Sequence, residues 1–349
     1  MSKVLSKTNI HEVAAKAGVS IATVSRAFKP GGLVKEETKN KILQIARELD
    51  YKPSPLARGL STQKTDTIGV ILPELAGEFF MEIIHGIDEA LNAAGKYMLV
   101  SSSHSQRNTV ETVIEFMTSG RVDGVLLMEP QMPKEITETI KKSKRPIALI
   151  NALQDINEVA NFRIDNYQGA YSNVEHLTGH GYKHIAIVKG PSGNWEAQER
   201  YTGYKDALKA AGLVVDNSLC IDGDFSIKSG YYAFMRLMSL RQKPDAIFFS
   251  NDMMALGAYD AAKNSNIHIP RDVAVTGFDD IFLSSLLNPR LTTIHVPIAE
   301  LGNRAAKYLL KLVDGSYNTK RHNEILSTGL VVGESCGCKI NNNISLLDI

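Results

Sequence analysis

Cysteine is scarce in this chain: three in 349 residues, at Cys220, Cys336 and Cys338. A count that small and odd excludes a disulfide framework and fits a reducing compartment. The Cys336-Gly337-Cys338 pair lies near a polar, Asn-rich tail. With no second cysteine pair and no histidine close to it in sequence, incidental thiols are expected there and no metal site. No apolar run approaches the roughly 18 residues that would suggest a membrane span. Met1 to Asn9 has no apolar core, so no signal peptide is expected. The chain also lacks G-x-G-x-x-G, a Walker A loop, H-E-x-x-H and G-x-S-x-G. His11-Glu12 has no second histidine at the spacing zinc chemistry needs. No nucleophile–base constellation is visible, so neither an enzyme nor a cofactor is expected. His176, His180 and His184 recur every four residues, as zinc ligands on one helix face would. Glycines flank His180, however, and His184 opens an apolar strand run, so a turn is the better reading.

What is present points to more than one core, since single cores stop growing near ~250–300 residues. The chain is 44% hydrophobic and 22% charged, as soluble globular proteins are. Its net charge of +1 hides a division. Residues 1–60 carry eleven lysines and arginines against five acidic residues, and the remainder carries 28 against 33. A basic head on an acidic body suits a phosphate-binding module joined to a regulatory domain. A merely solvated basic surface would show the same charge.

The head has a definite pattern. Asn9 is placed to cap a helix, with Glu12 three residues on to complete a capping box. Ile10, Val13, Ala14 and Ala17 fall on one face, and Gly18 ends the helix. Ser20 caps a second helix, Ile21 to about Phe28, with Val24, Ala27 and Phe28 inward. A third helix is expected from about Lys35 to Leu49, with Ile42, Leu43, Ala46 and Leu49 inward. Two short helices about a glycine turn make a helix-turn-helix, which places the start of its second helix in the major groove of DNA. Ser20, Ile21, Ala22, Thr23, Ser25 and Arg26 are the candidate contacts. Ile21 and Ala22 are apolar and suit a thymine methyl; Arg26 is the candidate for a guanine.

Downstream, Ser54 and Pro55 can start a helix that runs only to about Leu60. A helix that short is marginal in water, and Gly59 weakens it by roughly 1 kcal/mol relative to alanine. Leu56 and Leu60, at i and i+4, either pack on the head or form a partner helix and minor-groove wedge; Ala57 and Arg58 share that segment.

These segments resemble the LacI/GalR family of bacterial transcription regulators. The matching pattern is D/E-V-A-x-x-A-G-V-S-x-x-T-V-S-R, from Glu12 to Arg26, then Y-x-P-x-x-x-A-R-x-L, from Tyr51 to Leu60. The resemblance implies that Leu60 wedges into the operator centre and that Ile21, Ala22 and Arg26 read the major groove.

From Thr67 the pattern becomes apolar strand runs alternating with helices. Strands are expected at 68–72, 97–101, 124–128, 147–151, 184–188, 246–249 and 273–277. Helices are expected at about 79–94, 167–177, 196–211 and 253–264. This alternation implies doubly wound parallel sheets in two lobes. The domain reading is a helix-turn-helix head at 1–52, a hinge helix and linker at 53–66, a two-lobed core at 67–340 and a tail at 341–349. Lobe 1 takes about 67–165 and 296–322, and lobe 2 about 166–290 and 323–340.

The resemblance extends over this core, which in the family is similar to periplasmic sugar-binding proteins. The matching segments are Arg200-Tyr201-Thr202-Gly203-Tyr204, Ser250 to Gly257, Gly277-Phe278-Asp279-Asp280 and Pro289 to Ile294. They imply that Arg200, Asn251 and Asp279 face an effector between the lobes. Those side chains suit a polyhydroxyl ligand. Phe79, Phe80, Trp195 and Phe225 are its expected apolar walls, with Asn151 at a strand end beside them. Phe80 is also placed to be core. Trp195 has polar sequence neighbours and reads as wall. Asp252 reads as a helix cap.

The expectation is a homodimeric, cytoplasmic, nucleoid-associated regulator, a repressor that binds a near-palindromic operator in double-stranded DNA. A small molecule, a sugar or sugar derivative, controls it, and no membrane is involved. The alternatives are control by a protein corepressor, or a sugar-processing enzyme on the same layers. Ile340 to Ile349 is too short for a sustained heptad seam, so a dimer is expected and no tail-bundled tetramer.

Overall fold

The computed structural model describes residues 9–28, 32–51, 64–102, 109–130, 132–153, 156, 159–317 and 322–339. The chain divides into two compact units, Met1–Asp66 and Thr67–Ile349.

The first unit contains α1 (Ile10–Ala17), α2 (Ile21–Ala27) and α3 (Glu36–Glu48). Asn9 caps α1 by accepting from the backbone N–H groups of His11 and Glu12, and its own amide donates to Glu12 Oε1. The capping partner is therefore the Asn9 side chain, where a capping box would use its backbone N–H. Gly18 ends α1 at φ 71°, the left-handed conformation that closes a helix with least strain in glycine. Ser20 caps α2 through Thr23 N–H. Val13, Ala14, Ala17, Val24, Ala27, Ile42, Ile45 and Ala46 form the buried core. Ile45 replaces Leu43 among the residues expected inward, since Leu43 is only half-buried.

The second unit opens with β1 (Thr67–Leu72), α4 (Glu78–Ala93), β2 (Tyr97–Ser102), α5 (Thr109–Thr118), β3 (Gly124–Leu127), α6 (Lys134–Lys142), β4 (Ile147–Ile150) and β5 (Ala160–Ile164). It continues with α7 (Asn166–Gly179), β6 (Ile185–Lys189), α8 (Trp195–Ala210), β7 (Cys220–Asp222), α9 (Ile227–Met238), β8 (Ala246–Phe249), α10 (Asp252–Asn264) and β9 (Ala274–Thr276). It ends with α11 (Phe282–Ser285), β10 (Thr293–His295), α12 (Ile298–Val313), β11 (Asn323–Leu326) and β12 (Gly329–Val331).

One lobe is built on a parallel sheet of order β11-β5-β4-β3-β1-β2, the other on a parallel sheet of order β7-β6-β8-β9. Central strands such as Gly-Val-Leu-Leu and Ala-Ile-Phe-Phe are buried along their whole length, as parallel strands covered on both faces must be. The chain passes from the first lobe to the second after β5, back after β10 and across again after β11. Helices α4 and α12 pack so closely that a Cβ at Gly86 would collide with the Ala299 carbonyl.

Two expectations change here. Strand β11 pairs in parallel with β5, so residues 323–326 belong to the first lobe, where the sequence reading placed them in the second. His176 lies on α7 and His180 caps its end, as the turn reading requires. Yet Cys336 and Cys338 fold back against these two histidines, which overturns the view of the thiols as isolated.

Candidate functional site

The outward face of α2 presents Ile21, Ala22 and Arg26, all exposed, with Thr23 and Ser25 half-buried beside them. Ser20 and Thr23 join their hydroxyls at 2.9 Å within the cap, which fixes the start of the helix. Ile21, 41% exposed, opens this face. Arg26 completes a face with an apolar start and a cationic end. Leu56, Ala57, Arg58 and Leu60 lie outside the described residues.

In the second unit a cavity of about 660 Å³ opens between the lobes, beyond the carboxyl ends of β1, β3, β8 and β9. Ligands bind at that end of α/β sheets. Of the sequence-expected residues, Phe79, Phe80, Arg200, Phe225, Asn251 and Asp279 line it. Phe79 and Phe80 meet edge to face with centroids 5.4 Å apart.

Arg200 is the centre of the site. It projects from α8 and is 3% exposed. Its Nε donates to Asn166 Oδ1 at 2.7 Å and its Nη1 to the Ser250 carbonyl. The guanidinium carbon lies 3.8 Å from the centroid of the Phe278 ring, and Nη2 lies 3.6 Å from Asp279 Oδ1. The arginine is thus held on three sides before any ligand arrives. Asp279 has φ 114° and Phe225 φ 67°, left-handed conformations that non-glycine residues rarely adopt. Asp279 Oδ1 is buried without a hydrogen-bond donor among the described residues. Burial pushes this carboxyl up to about 7 against the pull of Arg200, and the Glu196 carboxyl adds to the rise.

Asn251 caps α10 by accepting from Met254 N–H, and its amide donates to the Phe225 carbonyl. It both lines the cavity and fixes the loop that carries Phe225. The cap expected of Asp252 is therefore supplied by Asn251. Asp252 is wholly buried and ties two other segments together, accepting from Ile281 N–H and from the Thr293 hydroxyl.

Trp195 and Asn151 do not line the cavity. Trp195 is buried at 8% exposure, and its indole N–H donates to the Asn151 carbonyl at 2.8 Å. Asn151 is wholly buried; its amide donates to Glu196 Oε1, and its Oδ1 accepts from Ile164 N–H. Both hold the wall that carries Glu196.

Among the lining residues that escaped the sequence reading are two carboxyls, Glu196 and Glu129. Both are buried. Desolvation pushes Glu196 up to about 7, with Arg200 opposing. Glu196 stands four residues before Arg200 on one helix, a spacing that puts both on one face and could have revealed it. Glu129 lies just past Met128 beyond the end of β3, and ligand groups gather beyond strand ends in such sheets. With Glu74, Glu78, Asp224 and Asp279 they make a strongly acidic cavity, against which, among the described residues, only Arg200 and Lys228 are cationic.

The family model described as bacterial regulatory proteins, lacI family, matches residues 9–54, and a periplasmic binding protein-like domain matches residues 174–336. The HTH-type transcriptional repressor CytR of Escherichia coli K12 is 34% identical over 306 residues, which are 88% of this chain and 90% of that protein. The Lac repressor dimer, solved bound to operator and an anti-inducer, superposes with a TM-score of 0.83 at 27% identity, covering 94% of this chain and 99% of that one. The complex of the transcriptional regulator CelR with cellobiose superposes with a TM-score of 0.72 at 28% identity, covering 94% and 99%.

Proposed function

Because the chain belongs to the lacI family of bacterial regulatory proteins, it is a DNA-binding transcriptional regulator and not an enzyme, and we propose that it is a homodimeric repressor whose operator affinity is set by a neutral polyhydroxyl ligand between its lobes. The head (1–52) reads a near-palindromic operator in double-stranded DNA, one half-site per protomer. Segment 53–66 is a hinge, 67–340 the effector-binding core and 341–349 a tail. Repression takes place at the nucleoid, in the cytoplasm.

The observation that carries the ligand class is the chemistry of the cavity. Asp279 Oδ1 is a buried acceptor in want of a donor, and the walls are rich in carboxylates. A sugar brings hydroxyl donors to that oxygen and lays its C–H face on Phe79, Phe80 or Phe225. A phosphorylated sugar brings negative charge into a cavity that already holds an excess of it, and like charges repel most where water is excluded. The CelR complex with cellobiose is consistent with this class.

Homodimerisation is supported by the Lac repressor dimer and by an edge in need of cover. Strand β2 ends the first lobe's sheet, and it exposes Tyr97 by 70% and Leu99 by 38%. Exposed apolar edge strands invite pairing unless a partner covers them.

The test is a thermal-shift screen of the full chain against neutral sugars, sugar phosphates and nucleobases. A ligand that binds only the folded state at about 100 times its Kd adds about 2.7 kcal/mol of stability. Neutral sugars should raise the melting temperature, and Asp279→Asn should abolish the rise. A phosphorylated sugar or a nucleobase as the best ligand would overturn the assignment.

A further inference from the structure

Four side chains far apart in the sequence, His176 and His180 on one side and Cys336 and Cys338 on the other, meet in the fold. One ligand atom from each lies within 4.8 Å of every other. Cys336 Sγ is 3.2 Å from His176 Nε2; Cys338 Sγ is 3.1 Å from His180 Nε2 and 3.9 Å from His176 Nε2. We propose that these four residues form a tetrahedral Zn²⁺ site that fastens the C-terminal turn to α7.

The distances suit that ion. With Zn–S near ~2.3 Å and Zn–N near ~2.0–2.1 Å, the edges of a tetrahedron are about 3.3–3.8 Å. The observed separations bracket this range, so small side-chain rotations bring all four atoms to one centre. The donor set is selective too. Two thiolates and two imidazoles suit Zn²⁺, whereas Ca²⁺ and Mg²⁺ take oxygen ligands. Four protein ligands leave no open coordination position, so the site is structural and not catalytic.

The backbone on both sides is already fixed. His176 in the last turn of α7 and His180 at its C-cap stand one turn apart, with ring centroids 4.6 Å apart. Across from them, Ser335 Oγ donates to the Val275 carbonyl at 2.6 Å and accepts from Thr292 N–H at 2.8 Å. Tyr182 Oη donates to the Cys336 carbonyl at 3.0 Å. Gly337, at φ 91°, bends the chain between the two cysteines in a conformation few other residues adopt. Cys336 is buried and pinned, while Cys338 and His180 reach the surface, which gives the ion a path in.

The experiment uses the full-length chain, reduced and stripped of metal by a chelator. Zn²⁺ is titrated in competition with a chromophoric chelator, and Co²⁺ serves as the spectroscopic probe. One ion should bind per chain. The Co²⁺ adduct should show thiolate-to-metal charge-transfer absorption and the intense visible bands of a tetrahedral site, both lost when Zn²⁺ is added. The double variant His180→Ala/Cys338→Ser alters the two outer ligands and leaves buried Cys336 alone. It should keep the metal-free melting temperature and lose more than ~100-fold in Zn²⁺ affinity, beyond what changes around a metal's ligands cost. Unchanged affinity in that variant would overturn the proposal, as would a Co²⁺ adduct without charge-transfer absorption, or a folded, reduced chain that takes up neither ion.

Discussion

Glu196 and Asp279 face one guanidinium from inside a buried site, and both carboxyls are raised to about 7. A carboxyl that holds its proton more tightly in the folded chain destabilises the fold as pH rises from the unfolded to the folded pKa. For Glu196 that window runs from 4.5 to about 7: below it both states are protonated, and above it the loss is complete. Glu196→Gln keeps an oxygen for the Asn151 amide and removes the titration. The variant's melting temperature should therefore gain on the parent's between about pH 5 and pH 8; a constant difference would show that Glu196 does not titrate in this way. On the head, Arg26→Ala should weaken specific DNA binding by roughly 1–3 kcal/mol if the guanidinium makes a bidentate guanine contact. Competition among operator variants measures it, and an unchanged preference reassigns Arg26 to phosphate. At this scale the sequence was legible for Asn251 and Asp279, which follow strand ends in segments that carry the family resemblance, whereas Glu129 follows a strand end and was missed. Trp195 was misread because its polar sequence neighbours are not its spatial ones: the indole turns inward to Asn151, 44 positions away. The meeting of the histidines with the cysteines was missed for the same reason, since Cys336 and His176 are 160 positions apart.

Periodicity carried the helices, because an amphipathic face repeats whether or not its partner is known. Thus α7, α8 and α10 begin and end within two residues of expectation. Short strands carry less signal. The three-residue β7 and β5, whose Ala-Asn-Phe-Arg-Ile mixes polar and apolar residues, were not anticipated. Sheet membership was least legible: the sequence reading puts β11 in the second lobe with the residues that follow it, but it pairs with β5 of the first, and order along the chain does not fix pairing in space. The hinge segment Ser54 to Leu60 rests on sequence alone. Its proposed role requires a helix too weak to persist without DNA. Gly59→Ala, which favours helix by roughly 1 kcal/mol, should raise operator affinity and blunt the effector's influence. Leu60→Ala should lower operator affinity. Fluorescence anisotropy with labelled operator reads both, and no change in either variant removes the segment from the mechanism.

The two lobes are joined by more than their crossovers. Glu78, at the start of α4 in the first lobe, accepts from the backbone N–H groups of Phe282 and Leu283 at the rim of the second. A ligand between the lobes shifts them only by binding one arrangement better than the other. If the arrangement closed by Glu78 is the one the ligand favours, Glu78→Ala biases the free protein against it and should weaken effector binding by about tenfold, the worth of one hydrogen bond to a charged group. Linkage then fixes a sign. Whatever the effector does to operator affinity, the variant without effector must do the opposite, because effector and latch stabilise the same state. Linkage also fixes a size: the factor by which effector changes operator affinity must equal the factor by which operator changes effector affinity. Operator titrations of the parent with and without effector, and of Glu78→Ala without effector, test the sign; calorimetric titration of the effector with and without saturating operator checks the equality. Unequal factors would indicate a fault in the measurements, since reciprocity holds for any equilibrium. A Glu78→Ala variant that shifts operator affinity in the same direction as the effector does is the result that sinks the closure model.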